Sequence, residues 1–482
     1  MLSYLRYLWK YCSLYNLIRK YTNQYQTDTN HRLLDQIISQ INDCGPVAIK
    51  LTQWILPKIE LIITDSVDIQ HNKKLECISK LETLYENCMI HDMSITKQMY
   101  QQSFQKDFDC EYRSLDILGS GSIGQAHLIQ NKTTQHKYVM KIIHPRVRED
   151  IIYFKKCYLF LKYFLNCIPC VDNYIDLFPF DLEEFIKDFT QQSDFINESN
   201  NLLQFHHYFE KNPFIIIPKL YKCSNDIIIM SHEEGSYVDD LVNIEDNYLK
   251  YNISILYYLF VNNNEQSYHF NHGDLHKGNW RYRIEDNKPR LVIYDFGFCF
   301  TIPEDKRYIV EMIVDTFEKT DKINILDDNM IDTLTTISKE ILIGYELSPK
   351  NLIRLRDHIS VQIKELKPWC FSPVSVIKIF INFSIQERCK IDHLLLQFFI
   401  IAIQSTQLYE QFSFKGSEET AINGREVYRE RYLDVINFCN TYQIFPEYKQ
   451  LIQKKLTLEQ PDVSEIFDTI HLSDEIKTLA LS

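Results

Sequence analysis

The sequence predicts an α+β chain in which a short strand-rich segment is embedded in a mostly helical molecule. Three observations carry that expectation. Apolar residues recur at three- and four-residue spacing in stretches such as 33–41 and 75–85. Between 112 and 143 the pattern changes to short apolar runs broken by turn residues, the mark of a small sheet. Helical spacing then returns from about 147 to 205 and dominates after Gly235. With 482 residues, 45% hydrophobic and 13% aromatic, the chain has material for a large core and more than one folding unit.

These shifts divide the chain into a helical N-terminal extension (1–108), a sheet-bearing region with a helical insertion (109–235) and a mainly helical remainder (236–482). The expected strands are the runs beginning at Ser114, Gln125 and Tyr138, with the runs 214–218 and 227–230 completing the sheet. Neither an internal repeat nor a low-complexity tract interrupts this order.

A formal net charge of −13 gives no general attraction for nucleic acid or anionic lipid and leaves only a local basic patch open. Thirteen cysteines without regular spacing fit a reducing compartment. A ribbon-type zinc site would need a second pair beside the C-x-x-C of Cys167 and Cys170. No run reaches the ~20 apolar residues of a spanning helix, so the expectation is an intracellular chain, cytoplasmic or organelle-associated, without a transmembrane segment. Arg6, Lys10, Arg19 and Lys20 sit among Leu, Tyr and Trp with no acid before Asp28. Such a segment either makes peripheral contact with a membrane or packs as an amphipathic helix on the protein's own body, and packing is the preferred reading.

The chemistry is carried by motifs in a fixed order. Gly119, Gly121 and Gly124 spell G-x-G-x-x-G between two expected strands. A dinucleotide site would lead from strand into helix, whereas here more strand follows, as in a hairpin that covers phosphates. Lys141 stands inside the third apolar run, where its ammonium can neutralise phosphate oxygens. Glu198 is the candidate carboxylate partner on a helix, and the strand end 231–235, with Glu233, suits an adenine-contacting hinge. Asp274 precedes Asn279 by five residues, the spacing of a kinase catalytic loop, and Asp295 opens a D-F-G. Asp274 would serve the attacking nucleophile, and Asn279 and Asp295 would ligate Mg2+. Each motif alone has a plain structural explanation, such as a glycine turn or a solvated lysine. Their order predicts a two-lobed, protein-kinase-like fold that binds ATP and Mg2+.

These residues resemble the UbiB family, also called aarF-domain-containing kinases, over roughly 40–310. The segment 45–53, GPVAIKLTQ, is similar to that family's G-P-x-x-I-K-x-G-Q, and His272, Asp274, His276, Gly278 and Asn279 are similar to its H-x-D-x-H-P-G-N. The resemblance implies that the extension folds over the nucleotide cleft, with Lys50 reaching in beside Gln53, and implies a role near lipid or isoprenoid-quinone metabolism. Four positions depart: Gly119-Ser-Gly-Ser replaces an alanine-rich loop, Lys277 a proline, Thr52 a glycine, and Gln192 the glutamate of E-x-D. The expectation is a weakened Lys50 contact and a loosened hold of the extension on the cleft, with Asp194 as the alternative source of the lost charge. The function expected is an atypical kinase or ATPase with an unidentified phosphoryl acceptor (lipid, small molecule or protein). The alternatives are a protein Ser/Thr kinase and a nucleotide-binding pseudokinase scaffold.

Overall fold

The computed structural model describes residues 2–24, 32–63, 71–84, 88, 90–166, 180–319, 328–365, 373–412 and 424–457. Cys167 and Cys170 lie outside the described residues, and the cysteines that are described are free thiols. The chain forms two compact units, Met1–Leu249 with His272–Phe300, and Lys250–Asn271 with Thr301–Ser482. Among the described residues no helix is long and apolar enough to cross a membrane.

The first unit begins with helices α1 (Leu2–Gln24), α2 (Arg32–Cys44), α3 (Pro46–Ile63) and α4 (His71–Glu82). Tyr11, Leu14, Leu17 and Tyr21 of α1 pack against a buried cluster that includes Ile37 and Ile41 of α2 and Ile49 of α3. Gly45, at φ +93°, closes α2 and turns the chain into α3, a backbone conformation costly for any residue with a β-carbon. Helices α5 (Met93–Phe104) and α6 (Phe108–Glu111) lead into the sheet.

That sheet is antiparallel, ordered β1 (Tyr112–Ser120), β2 (Gly124–Asn131), β3 (Lys137–Ile143), β6 (Ile227–Ser231), β5 (Leu220–Cys223). Ile129, Met140, Ile142, Ile227 and Ile229 point to one face and meet Tyr100 of α5 and Phe108 of α6. Each such side chain contributes roughly 1.5–3 kcal/mol by leaving water. Between β3 and β5 the chain inserts α7 (Val147–Asn166), α8 (Leu182–Gln192), α9 (Phe195–Phe209) and β4 (Ile215–Ile216).

One expectation for this region is corrected. The run 214–218 does not complete the five-stranded sheet: Ile215 and Ile216 pair in parallel with β9 (Lys288–Ile293), itself paired with β8 (Trp280–Glu285). Pro213 and Pro218 bracket the run, and proline cannot donate to a ladder. The edge is supplied by Leu220–Cys223, a polar-looking run that periodicity passes over.

The second unit is mainly helical, with α10 (Asn247–Asn263) buried on nearly every side from Asn252 onward. Tyr251 and Tyr409 hydroxyls both donate to Asp434, the latter at 2.9 Å, and Lys306 pairs with Asp392 at 2.5 Å.

Candidate active site

Strand alternation decides which residues of the sheet face the cavity. Gly124, Ala126, Val139 and Lys141 line a cavity of about 550 Å3, while Gln125, His127, Met140 and Ile142 point away. The Lys141 ammonium donates to both oxygens of Glu198, each at 2.9 Å, and to Asp295 Oδ1 at 2.8 Å. Glu198 sits in the first turn of α9, its helix capped by the Asp194 carboxylate, which accepts from the Ile196 amide at 3.0 Å. Asp295 adopts φ +55°, a left-handed conformation that aspartate tolerates better than most residues, and its Oδ1 also accepts from the Gly297 amide at 3.3 Å.

The electrostatics are those of a buried Lys141–Glu198 pair compensated further by Asp295, whose side chain is 42% exposed. Burial alone would lower Lys141, but Asp295 and Glu198 outweigh it and hold the ammonium above its usual range. Burial drives the Glu198 carboxyl up to about 7 against the pull of Lys141. For Asp295 burial loses to Lys141, and the carboxyl is held well below its usual range.

The extension helix enters the same cavity. Lys50 donates to Asp274 Oδ2 at 2.8 Å, and this contact, outweighing burial, keeps Asp274 below the usual carboxylate range. Gln53 donates to the Leu84 carbonyl at 2.7 Å and accepts from the Ser122 hydroxyl at 3.1 Å, tying α3 to the tip of the glycine hairpin. The alternative in which Asp194 replaces the charge missing at Gln192 is not taken: Asp194 caps a helix, and Lys50 pairs with Asp274. Thr52 folds its hydroxyl back onto the Ala48 carbonyl at 2.9 Å within α3. Lys277 lies 3.8 Å from Glu82 and 3.6 Å from Asp239, so the position resembling a family proline instead reaches toward the extension.

The three hairpin glycines differ in what requires them. A β-carbon on Gly124 would fall 2.4 Å from the Ile142 carbonyl oxygen, whereas nothing lies within 4 Å of one on Gly119. The Gly121 amide donates to the Gly124 carbonyl at 3.0 Å, closing the turn on itself and not pointing into the cavity. Glu233 lines the cavity with its side chain turned to Ser231 and Arg283, while its carbonyl accepts from the Tyr294 hydroxyl at 2.7 Å. In the catalytic-loop segment the Asn279 amide nitrogen donates to the Asp274 carbonyl at 2.7 Å, and His272 Nε2 donates to the Tyr294 carbonyl at 2.9 Å.

A polar network absent from the sequence reading braces the hairpin from behind. His144 Nε2 donates to the Gly121 carbonyl at 2.9 Å, which leaves its Nδ1 to accept from His91 Nδ1 at 2.9 Å. His91 Nε2 in turn accepts from the Thr96 hydroxyl at 3.1 Å, and Gln125 takes the His91 amide at 3.0 Å while donating to His127 at 3.1 Å. Burial lowers all three histidines, His91 to about 4, so the network is neutral near pH 7. No local pattern could announce it, since the rings come from positions 36 and 17 residues apart and only strand pairing joins them.

The oxygens present fit a magnesium ion shared with a nucleotide. Asn279 Nδ2 and Asp295 Oδ1 are committed to protein partners, while no described residue hydrogen-bonds Asn279 Oδ1 or Asp295 Oδ2. Two hard oxygen donors beside a phosphate-sized space are what Mg2+ takes when substrate supplies the remaining ligands. Among the described residues no set of three His, Cys, Asp or Glu converges into a self-sufficient metal cage.

Two bacterial proteins described as "Probable protein kinase UbiB", from Cronobacter sakazakii (strain ATCC BAA-894) and Enterobacter sp. (strain 638), are each 25% identical over 293 and 296 residues, covering 58% of this chain and 50% of the relative. The chain thus spans about half the length of these curated relatives. A solved structure of Rv3197 with erythromycin from Mycobacterium tuberculosis aligns with 82% of this chain and 100% of that one, at 14% identity and a TM-score of 0.44. The model of the ABC1 atypical kinase-like domain matches residues 83–327, just over half the chain and all of the glycine-hairpin, Lys141, catalytic-loop and Asp295 segments. The chain therefore belongs to the ABC1 atypical kinase-like family, which includes the UbiB proteins.

Proposed function

We propose that this chain is a Mg-ATP-dependent atypical kinase or ATPase, with the five-stranded sheet and its inserted helices acting as the smaller lobe of a two-lobed catalytic fold. The observation that carries the reading is the convergence of Asp295 on the buried Lys141–Glu198 pair, in a cavity that Asn279 and Asp274 also line. In this reading Lys141 meets the phosphates, Glu198 holds its ammonium in place, and Asn279 and Asp295 present oxygens to the metal. Mg2+ bound with the nucleotide supplies the positive charge that stabilises the transferring phosphoryl group. Asp274 accepts the proton of the attacking hydroxyl or water once Lys50 yields it. The acceptor, and any role in lipid or isoprenoid-quinone metabolism, rests on family membership alone.

Nucleotide-dependent thermal stabilisation, measured with and without Mg2+ beside ATP hydrolysis, tests the proposal for the native chain and Asp295→Asn. Stabilisation and turnover that both require Mg2+, with turnover reduced about 10²–10³-fold in the variant, are the expected result. No nucleotide effect on the native chain would overturn it. A second reading, a nucleotide-binding scaffold with little turnover, is favoured by the Lys50–Asp274 ion pair, which occupies the proton acceptor. Stabilisation without hydrolysis or phosphotransfer would select it.

A further inference from the structure

One cation lining the cavity takes no part in the ion-paired groups around Lys141 and Lys50. The β3–β6 register sets Lys141 opposite Ile228 and Ser231 opposite Tyr138, so the segment leaving β6 begins three residues, about 10 Å, along the strand from the Lys141 ammonium. That segment then meets β8: Ser236 and Tyr282 exchange backbone hydrogen bonds at 2.8 and 3.0 Å. An antiparallel bridge at that pair sets Tyr237 opposite Arg281, with both side chains on one face. Gly235 permits the close approach, since a β-carbon there would fall 2.6 Å from that of Arg281.

The Arg281 guanidinium is pinned. Its carbon lies 3.5 Å from the centre of the Tyr237 ring, and its Nη1 donates to the carbonyls of Lys277, Gly278 and Trp280 at 3.3, 3.0 and 2.8 Å. Arg283, two residues along the same face of β8, pairs with Glu233 at 3.3 Å, whereas Arg281 makes no ion pair with a described residue. A planar cation held on a ring and without a counter-ion retains its attraction for a second π-system. The carboxylates of Glu233 and Glu234 line the same end of the cavity, which disfavours a phosphate or carboxylate there and favours a neutral aromatic group.

Resting on the nucleotide reading of this cavity, we propose that Arg281, seated on Tyr237, recognises the base: a purine ring stacks on the guanidinium, and the chain selects purine over pyrimidine nucleotides because the purine offers the larger face. The test separates base from phosphates by measuring the affinities of the full chain for ATP, CTP and inorganic tripolyphosphate, each with Mg2+, from thermal stabilisation. The native chain should bind ATP severalfold more tightly than CTP, a comparison that needs no variant. Arg281→Leu should weaken ATP roughly tenfold and leave tripolyphosphate affinity unchanged, a split that a general loss of folding would not produce. Arg281→Lys, which keeps the charge and loses the plane, should bind ATP as weakly as the leucine variant. Equal binding of ATP and CTP by the native chain overturns the proposal, as does undiminished ATP affinity in Arg281→Leu. Equal losses for ATP and tripolyphosphate would move Arg281 to the phosphates, and full recovery in Arg281→Lys would replace stacking by bare charge; either also overturns it. A native chain stabilised by tripolyphosphate and by no nucleotide more strongly would sink this base site alone, whereas one stabilised by none of the three would sink the nucleotide reading with it.

Discussion

On the cavity side of β1–β3, Lys50, Lys141, Glu198, Asp274 and Asp295 form two ion-paired groups, while on the α5 side the half-buried His91 joins the buried His127, His144, Thr96 and Gln125. The first set is held by charge. Each carboxylate there is compensated by a lysine, and Asp295 and Asn279 retain oxygens without a described partner. The second set is held by neutral hydrogen bonds whose donors and acceptors follow one another toward the Gly121 carbonyl. Charged pairs in a cavity can exchange partners with an incoming ion, since attraction is not tied to one geometry. A neutral relay cannot, because each bond direction depends on the next. One hairpin thus carries an adaptable face toward the cavity and a fixed one behind it.

Breaking the charged side should cost most. Lys141→Met leaves Glu198 and Asp295 without their cation, and chemical denaturation should show a loss of about 3–5 kcal/mol. Adding Glu198→Gln should recover much of it, and a small loss in the single variant would mean the cluster is not held by this pair. Next, Lys50→Met removes the group that holds Asp274 below its usual range. The Asp274 pKa then rises, and the acid limb of the turnover profile should move to higher pH. An unmoved limb would separate Lys50 from the proton acceptor.

The neutral side should answer more gently. His144→Ala removes the donor to Gly121, worth about 1 kcal/mol, and should raise the nucleotide KM severalfold with kcat little changed. His144→Gln, which keeps a donor, should restore it; equal defects in the two variants would reduce His144 to packing. The smallest effect concerns acid. His91 is depressed from 6.5 to about 4 by burial and by its histidine neighbours. Its contribution to stability is present above pH 6.5 and is lost as pH falls through 4. The thermal midpoint should decline over that window, and His91→Gln should flatten the decline; an identical slope in the variant would assign it elsewhere.

Much of the charged side was legible in the chain because its residues sit in short motifs with their own spacing. Asp274 and Asn279 announce themselves five residues apart, and Asp295 by the Phe-Gly that follows. Glu198 was found as the acid a strand lysine requires, and Lys141 pairs with it. The fate of the departures was not legible. Whether Asp194 faced Lys50 or capped a helix depends on where the helix starts, a matter of one residue. The different sheet joined by 214–218 has a similar origin, since an apolar run states that it is a strand without stating its neighbour.

By itself the sequence determined the helical and strand-rich regions, the family, and the order of the charged motifs, because periodicity and spacing act within a few residues. Tertiary structure alone decided that Lys50 rests on Asp274, that His144, backed by the distant His91, braces Gly121, and that α1 and α7 leave aromatic side chains exposed. Those outcomes depend on which elements pair and which face each buries, and such choices are made by long-range packing, in which residues far apart in the chain compete for the same neighbours.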